Sequence, residues 1–213
     1  KTLDLSSSYM EIKAGGQKQI EYSMNCDSLT LIHNNSLIEI SGDYGTFLNS
    51  GLASTHYDKI LFSATDSIQK NRKSDIKTSN PNIKYNKVTF LNNGKLFGPN
   101  KFDTLVFAPS REYELEENET QTIINHWDLN TDCNNYIKIK STEAGIQANV
   151  LKINNDVNKD FLQLKDINAI GSVNFNAYQS YDLGNNSGWN ITPTTGIQLY
   201  WVNGEGDWFD PQH

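Results

Sequence analysis

Hydrophobic and polar positions alternate along this chain in many short runs. Segments 28–32, 36–40, 59–62, 87–90, 104–107, 136–139, 149–153, 161–164 and 172–175 are each four or five residues long. Apolar side chains alternate with polar ones in them, and Asn, Asp, Gly, Ser or Pro bounds each run, which is the pattern of strands with one buried face. No window carries apolar residues at helical spacing, so an all-β chain with minor helix content is expected.

Short strands of this kind can pair as hairpins in a β-sandwich or stack as the rungs of a parallel β-helix. Two-residue Asn-Gly or Asp-Gly turns are the strongest hairpin signal. Between these segments only Asn93-Gly94 supplies one, and Asn203-Gly204 lies outside them. The segments instead end in Asn-containing corners of uneven length. The expected architecture is therefore a right-handed parallel β-helix (β-solenoid) with irregular rungs, and a β-sandwich is the alternative. Inner stacks would be Leu29/Leu31, Leu37, Ile60/Phe62, Val88/Phe90, Leu105/Phe107, Ile137/Ile139, Val150, Leu162/Leu164 and Val173/Phe175, with rungs about 4.8 Å apart.

Composition agrees with strands and turns. Of 213 residues, 27 are Asn and 14 are Gly, more than helices tolerate, while 23 aromatics argue against disorder. A net charge of -7 leaves no basic field for a phosphate backbone, so nucleic acid is not expected as a partner. The basic cluster at Lys70, Arg72 and Lys73 reads as a solvated loop. No apolar run approaches the ~18 residues that span a bilayer, so membrane insertion is not expected either. The start at Lys1, without Met or a signal peptide, reads as a piece from inside a larger secreted protein.

The C-terminal part carries the most distinctive motifs. Asp182, Gly184, Asn185, Asn186, Gly188 and Trp189 make up a closing turn, and a Pro/Thr/Gly hinge follows; Tyr200, Trp201, Gly204, Gly206, Asp207, Trp208 and Pro211 open another aromatic, Gly-spaced motif. With the run 161–177, these stretches resemble modules of the giant cell-surface adhesins of gliding flavobacteria, the SprB-type family exported by the type IX secretion system. The likeness covers the chain from about Phe102 onward; the first hundred residues match in style alone.

The resemblance implies a repeat module at the bacterial cell surface, structural and adhesive, with neighbouring modules of the same polypeptide as partners and no active site. In that family the adhesin is propelled along the cell surface, which yields gliding when it grips a substratum. On this reading residues 1–190 form one module, 191–199 a linker and 200–213 the start of the next unit. The isolated fragment would be a monomer, in possible contact with surface polysaccharide or substratum.

Polysaccharide hydrolysis needs two converging carboxylates, but Asp58, Asp75, Asp103, Asp128, Asp132, Asp156, Asp160 and Asp166 are scattered over turns, and Arg72 and Arg111 sit in polar loops. His33, His56, His126 and His213 are isolated, and His126 beside Trp127 reads as a surface residue. No enzyme and no required cofactor are therefore expected. Asp182 with Asn185, and Asp207 with Asp210, come nearest to a Ca2+ cluster; capping of tight turns is the expected role. Trp127, Trp201, Trp208, Tyr44, Tyr57 and Tyr113 are the rings available to a glycan, with inter-module packing the expected use of Trp201 and Trp208. A carbohydrate-binding module is thus the alternative function, ahead of a polysaccharide-degrading β-helix. Cys26 and Cys133 admit a disulfide, but stacked rungs would hold them on the order of 20 Å apart, and two reduced, buried thiols are expected.

Overall fold

The computed structural model describes residues 2–4, 6–13, 20–24, 30–32, 35–41, 45–49, 56–63, 74–78 and 83–194. Its strands begin with β1 (Thr2–Asp4), β2 (Tyr9–Lys13), β3 (Ile20–Met24), β4 (Thr30–Ile32), β5 (Leu37–Ser41), β6 (Gly45–Asn49) and β7 (His56–Phe62). They continue as β8 (Ser74–Thr78), β9 (Lys84–Phe90), β10 (Gly94–Phe97), β11 (Lys101–Phe107), β12 (Glu112–Leu115), β13 (Thr120–Leu129) and β14 (Ile137–Ser141). The last are β15 (Ala148–Lys152), β16 (Val157–Asp160), β17 (Leu162–Lys165), β18 (Ile167–Ile170), β19 (Phe175–Tyr178), β20 (Tyr181–Asp182) and β21 (Asn190–Ile191). No helix occurs among the described residues.

Alternation in the sequence becomes alternation of burial. On β7 the buried residues are Tyr57, Ile60 and Phe62; on β9, Tyr85, Val88 and Phe90; on β11, Phe102, Leu105 and Phe107. The three sets lie side by side in register, so like side chains stack along the sheet. Tyr57 stacks on Tyr85 at 5.5 Å and Phe62 on Phe90 at 4.5 Å between ring centroids. Each such side chain contributes about 1.5–3 kcal/mol when fully buried. The next strand, β13, carries one extra residue, so Ile123 faces Phe102 but Trp127 faces Leu105, the bulge lying between Phe102 and Thr104 of the partner.

Successive strands alternate between two sheets. One eight-stranded sheet runs β18-β15-β13-β11-β9-β7-β5-β2 and the other β20-β17-β14-β12-β10-β8-β6-β3. Near the C-terminal end a three-stranded sheet, β16-β19-β21, joins them, and β1 pairs with β4. Every ladder between described strands is parallel, so no hairpin pairs the described strands; Asn93-Gly94 opens β10 instead of turning a hairpin. The advance between paired strands is irregular: Lys84 pairs with Lys101, 17 positions on, whereas Thr120 pairs with Asn149, 29 on.

Two expected inner positions are corrected. On β5 Ile38 and Ile40 are buried and Leu37 is half-exposed. Adjacent Leu37 and Ile38 left the face ambiguous, and a shift of one residue exchanges faces. The segment expected at 172–175 is mostly turn: β19 begins at Phe175, which is buried, while Val173 packs half-buried against the core. Leu29 lies outside the described residues, and Leu31 is described by its backbone alone. Pairing also continues into the stretch expected as linker, since Ile191 lies opposite Ala177 and Thr192 N donates to Ala177 O (2.8 Å). Residues 195–213, including the expected next unit, lie outside the described residues.

Candidate functional site

Outward polar side chains form ladders of their own. Asn176 Nδ2 donates to Asn158 Oδ1 (2.7 Å), and Asn190 Nδ2 donates to Asn176 Oδ1 (3.0 Å), so one amide row crosses all three strands of the small sheet. A second row runs from Asn149 through Asn168 to Ser187, with contacts of 2.8 and 2.7 Å. On the second large sheet Lys95 meets Glu114 at 2.8 Å, Lys140 meets Glu114 and Glu112 at 3.1 Å, and Lys138 meets Glu112 at 3.2 Å. Parallel pairing puts each charge beside its opposite on the next strand, and such a network holds better than isolated surface pairs. Burial works against the Lys140 ammonium, yet its two carboxylate partners raise its pKa overall.

Several of the scattered aspartates are bonded by neighbouring amides. Asp58 accepts from Asn86 Nδ2 (2.7 Å) and Asp103 from Asn125 Nδ2 (2.8 Å). Asp132 is held by Asn134 N and Asn135 Nδ2, and Asp156 by Asn174 through its backbone and side-chain nitrogens. Asp128 is half-buried on β13; Asp160 is exposed, and its carbonyl oxygen accepts from Thr131 Oγ1 (2.7 Å). Asp75 is described by its backbone alone, in register with Lys95.

The Ca2+ candidates divide. Asp182 Oδ1 accepts from Gly184 N (2.9 Å) and Asn186 Nδ2 (2.6 Å), a turn cap. Asn185 turns its amide nitrogen to Asp166 Oδ1 (2.7 Å) and Gly145 O (3.2 Å), presenting a donor where a cation needs an acceptor. Asp207 and Asp210 lie outside the described residues, and no metal-competent cluster of three or more His, Cys, Asp or Glu occurs among the described ones.

Three of the rings that the sequence offered to a glycan are inside. Trp127 is 4% exposed, Tyr57 and Tyr113 fully buried, because each falls on an inward position of its strand. Trp127 packs on Phe107 and Trp189, at 6.2 Å between centroids in both cases, and Trp189 lies 5.0 Å from Phe175. Tyr44, Trp201 and Trp208 lie outside the described residues, as do Arg72, His33, His213 and Cys26. His126 is exposed, and Arg111 is half-buried. Cys133 is free but exposed, not buried: it sits in the turn closed by Asp132 and Asn135, before β14 starts.

Lys152 was not singled out in the sequence. It lies opposite Ile123 in register, is 2% exposed, and donates from Nζ to the backbone oxygens of Asn125 (2.9 Å), Ile124 (3.4 Å) and Asn154. Burial lowers its pKa.

A surface aromatic cluster was also missed. Tyr136 touches both Phe161 and Tyr181, with ring centroids 5.5 and 5.4 Å away. Tyr136 and Phe161 each stand just before the first inward residue of consecutive paired strands, Ile137 and Leu162. That shared position is the signal by which the sequence could have shown them. Burial, then the neighbouring Tyr181, raises the pKa of the Tyr136 phenol.

Comparison with family models, with curated proteins and with solved structures finds no match to this chain.

Proposed function

We propose that the chain is a non-enzymatic structural and adhesive module of a large bacterial cell-surface adhesin, of the kind its C-terminal half resembles, built as a right-handed parallel β-helix. The observation that carries this reading is the continuity of the two eight-stranded parallel sheets, between which successive strands alternate. Chain that alternates in this way winds about one axis, and parallel crossovers are right-handed almost without exception. Backbone hydrogen bonds then run along that axis, so extension has to break many of them together. Such a rod suits a role of transmitting load and holding a distal contact away from the cell. The Asn and Lys/Glu ladders add side-chain links in the same direction.

The engagement of Asp58, Asp103, Asp132, Asp156, Asp166 and Asp182 by amide groups supports a structural use of the carboxylates over a catalytic one. Neighbouring modules are the proposed partners, and the outer bacterial surface the proposed address. Antibodies raised against the purified chain should label intact cells of the source bacterium and reduce their attachment to glass. Labelling that appears only after lysis would overturn the surface reading. Release of sugars from a polysaccharide by the purified chain would replace it with an enzyme.

A further inference from the structure

We propose that Tyr136, Phe161 and Tyr181 form a platform for a neutral, linear glycan chain. This deepens the surface role by naming a ligand class, and it rests on that role for the expectation that the glycan is bound and not cut.

Most large rings lie inward: Tyr57, Tyr85, Tyr113, Phe62, Phe90, Phe102 and Phe107 are all fully buried. Tyr9 on β2 and Phe97 on β10 are outward rings that stand apart from one another; here three rings are grouped. At the corner leading into β14, β17 and β20, half-buried Tyr136 lies between half-buried Phe161, meeting it edge to face, and Tyr181, which is tilted against it and 44% exposed. Tyr178, 43% exposed, precedes the same corner.

Phe161 gives an independent sign. Its φ is 57°, in the left-handed region. The other non-Gly left-handed positions among the described residues are Asn35, Asn118, Asn155 and Asn185, which adopt that conformation readily, and the small or polar Ser7, Ser110, Asp166 and Gln179. A bulky aromatic residue there carries backbone strain that Asn would avoid, and strain of this kind concentrates at functional sites.

The surroundings select among ligands. Asp132 beside the cluster is held by Asn134 and Asn135, and Lys138 is paired with Glu112. The unpaired charges at the rim are carboxylates, Asp132 with Asp160 and Asp182 next to Phe161 and Tyr181 in the chain, which disfavours an anionic glycan. Neutral hydrogen-bonding groups stand with them: the Gln163 amide, in register with Tyr181, and the phenol of Tyr136, which reaches Gln179 O at 3.5 Å. A pyranose has an apolar C–H face and a rim of hydroxyls, matching ring faces edged by amides and phenols. Successive strands at about 4.8 Å extend the track to about 10 Å, which suits a linear chain lying across the strands.

The 213-residue chain would be titrated calorimetrically with cellohexaose, xylohexaose and an anionic hexaguluronate, while reducing ends are assayed in the same samples. Binding of a neutral hexasaccharide is expected, with Kd on the order of 1 mM or tighter. Tyr181→Ala should weaken it about tenfold or more, as loss of an aromatic anchor does. Phe161→Asn should do the same while leaving the melting temperature unchanged or higher, because the strain is relieved. No binding of either neutral sugar, tighter binding of the hexaguluronate, or full binding by Phe161→Asn would each overturn the platform. A Phe161→Asn variant that loses stability yet still binds would make the ring a structural element only. Bound sugar that is also cleaved would leave the platform standing and remove the non-enzymatic role instead.

Discussion

Phe107 and Tyr113 stack face to face across the interior, with ring centroids 3.6 Å apart and planes inclined by 4°, although they belong to different large sheets. The Tyr113 hydroxyl also fastens the corner between them, accepting from Ala108 N at 2.8 Å and donating to Ala108 O at 3.3 Å. Burial pushes its phenol pKa well above the usual value, so it stays neutral.

Removing these two roles separately should give two magnitudes. Tyr113→Phe keeps the stack and loses the hydroxyl bonds, at about 1 kcal/mol. Tyr113→Ala also loses the ring, at about 3–5 kcal/mol. Thermal melts check this, at about 2–4 °C per kcal/mol for a chain of this size. Equal losses would mean that the ring contributes nothing beyond its hydroxyl.

Gly94 marks the tightest packing in the same region. A Cβ there would lie 2.8 Å from Phe90 Cδ1 and 3.1 Å from Tyr113 Cδ1. Gly94→Ala is expected to destabilise by about 1–3 kcal/mol through overpacking. Adding Phe90→Leu should recover part of the loss, measured as coupling in a double-mutant cycle. Strict additivity would show that the two sites do not compete for the space.

Lys152 is expected to be needed for its donors. Lys152→Met keeps much of the volume but leaves the oxygens of Ile124, Asn125 and Asn154 without the ammonium. A loss of about 1–3 kcal/mol in urea unfolding is expected. A more stable Met variant would show instead that desolvating the charge outweighs its bonds.

Stability should fall at acid pH. Hydrogen bonds from Asn135 to Asp132 and from Asn174 to Asp156 lower those carboxyl pKa values. At Asp166 burial raises the pKa, and the Asn185 amide with the Gly145 backbone brings it below the ordinary range. A folded pKa below the unfolded value contributes stability above about pH 3.9, and that contribution disappears as pH falls through the folded value. Melting temperature should therefore vary little on this account between about pH 7 and 5 and drop below about pH 4. Asp166→Asn should melt lower at neutral pH and show a shallower acid limb; an unchanged limb would remove Asp166 from the effect.

The glycan platform lay half in view. Tyr136 and Phe161 were placed at the start of strand segments 136–139 and 161–164, yet nothing local says that they meet. Contact between them depends on which strands become neighbours. Trp127 is the converse case: a Trp beside an exposed His126 looks available, and only the one-residue bulge in β13 puts it opposite Leu105 inside.

By itself the sequence determined that the chain is all-β, through the period-two alternation at Val88/Phe90, Leu105/Phe107, Ile137/Ile139 and Leu162/Leu164, every one of them buried. Corner chemistry was equally local, because Asn35, Asn118, Asn155 and Asn185 take left-handed backbone from their own side chains. Tertiary structure decided the parallel register with its advances of 14 to 29 residues, the face of β5, and the burial of Lys152. Each of these rests on contacts between residues distant in the chain. Alternation fixes which side chains share a face, but the choice of partner strand and register belongs to the packing of all the strands together.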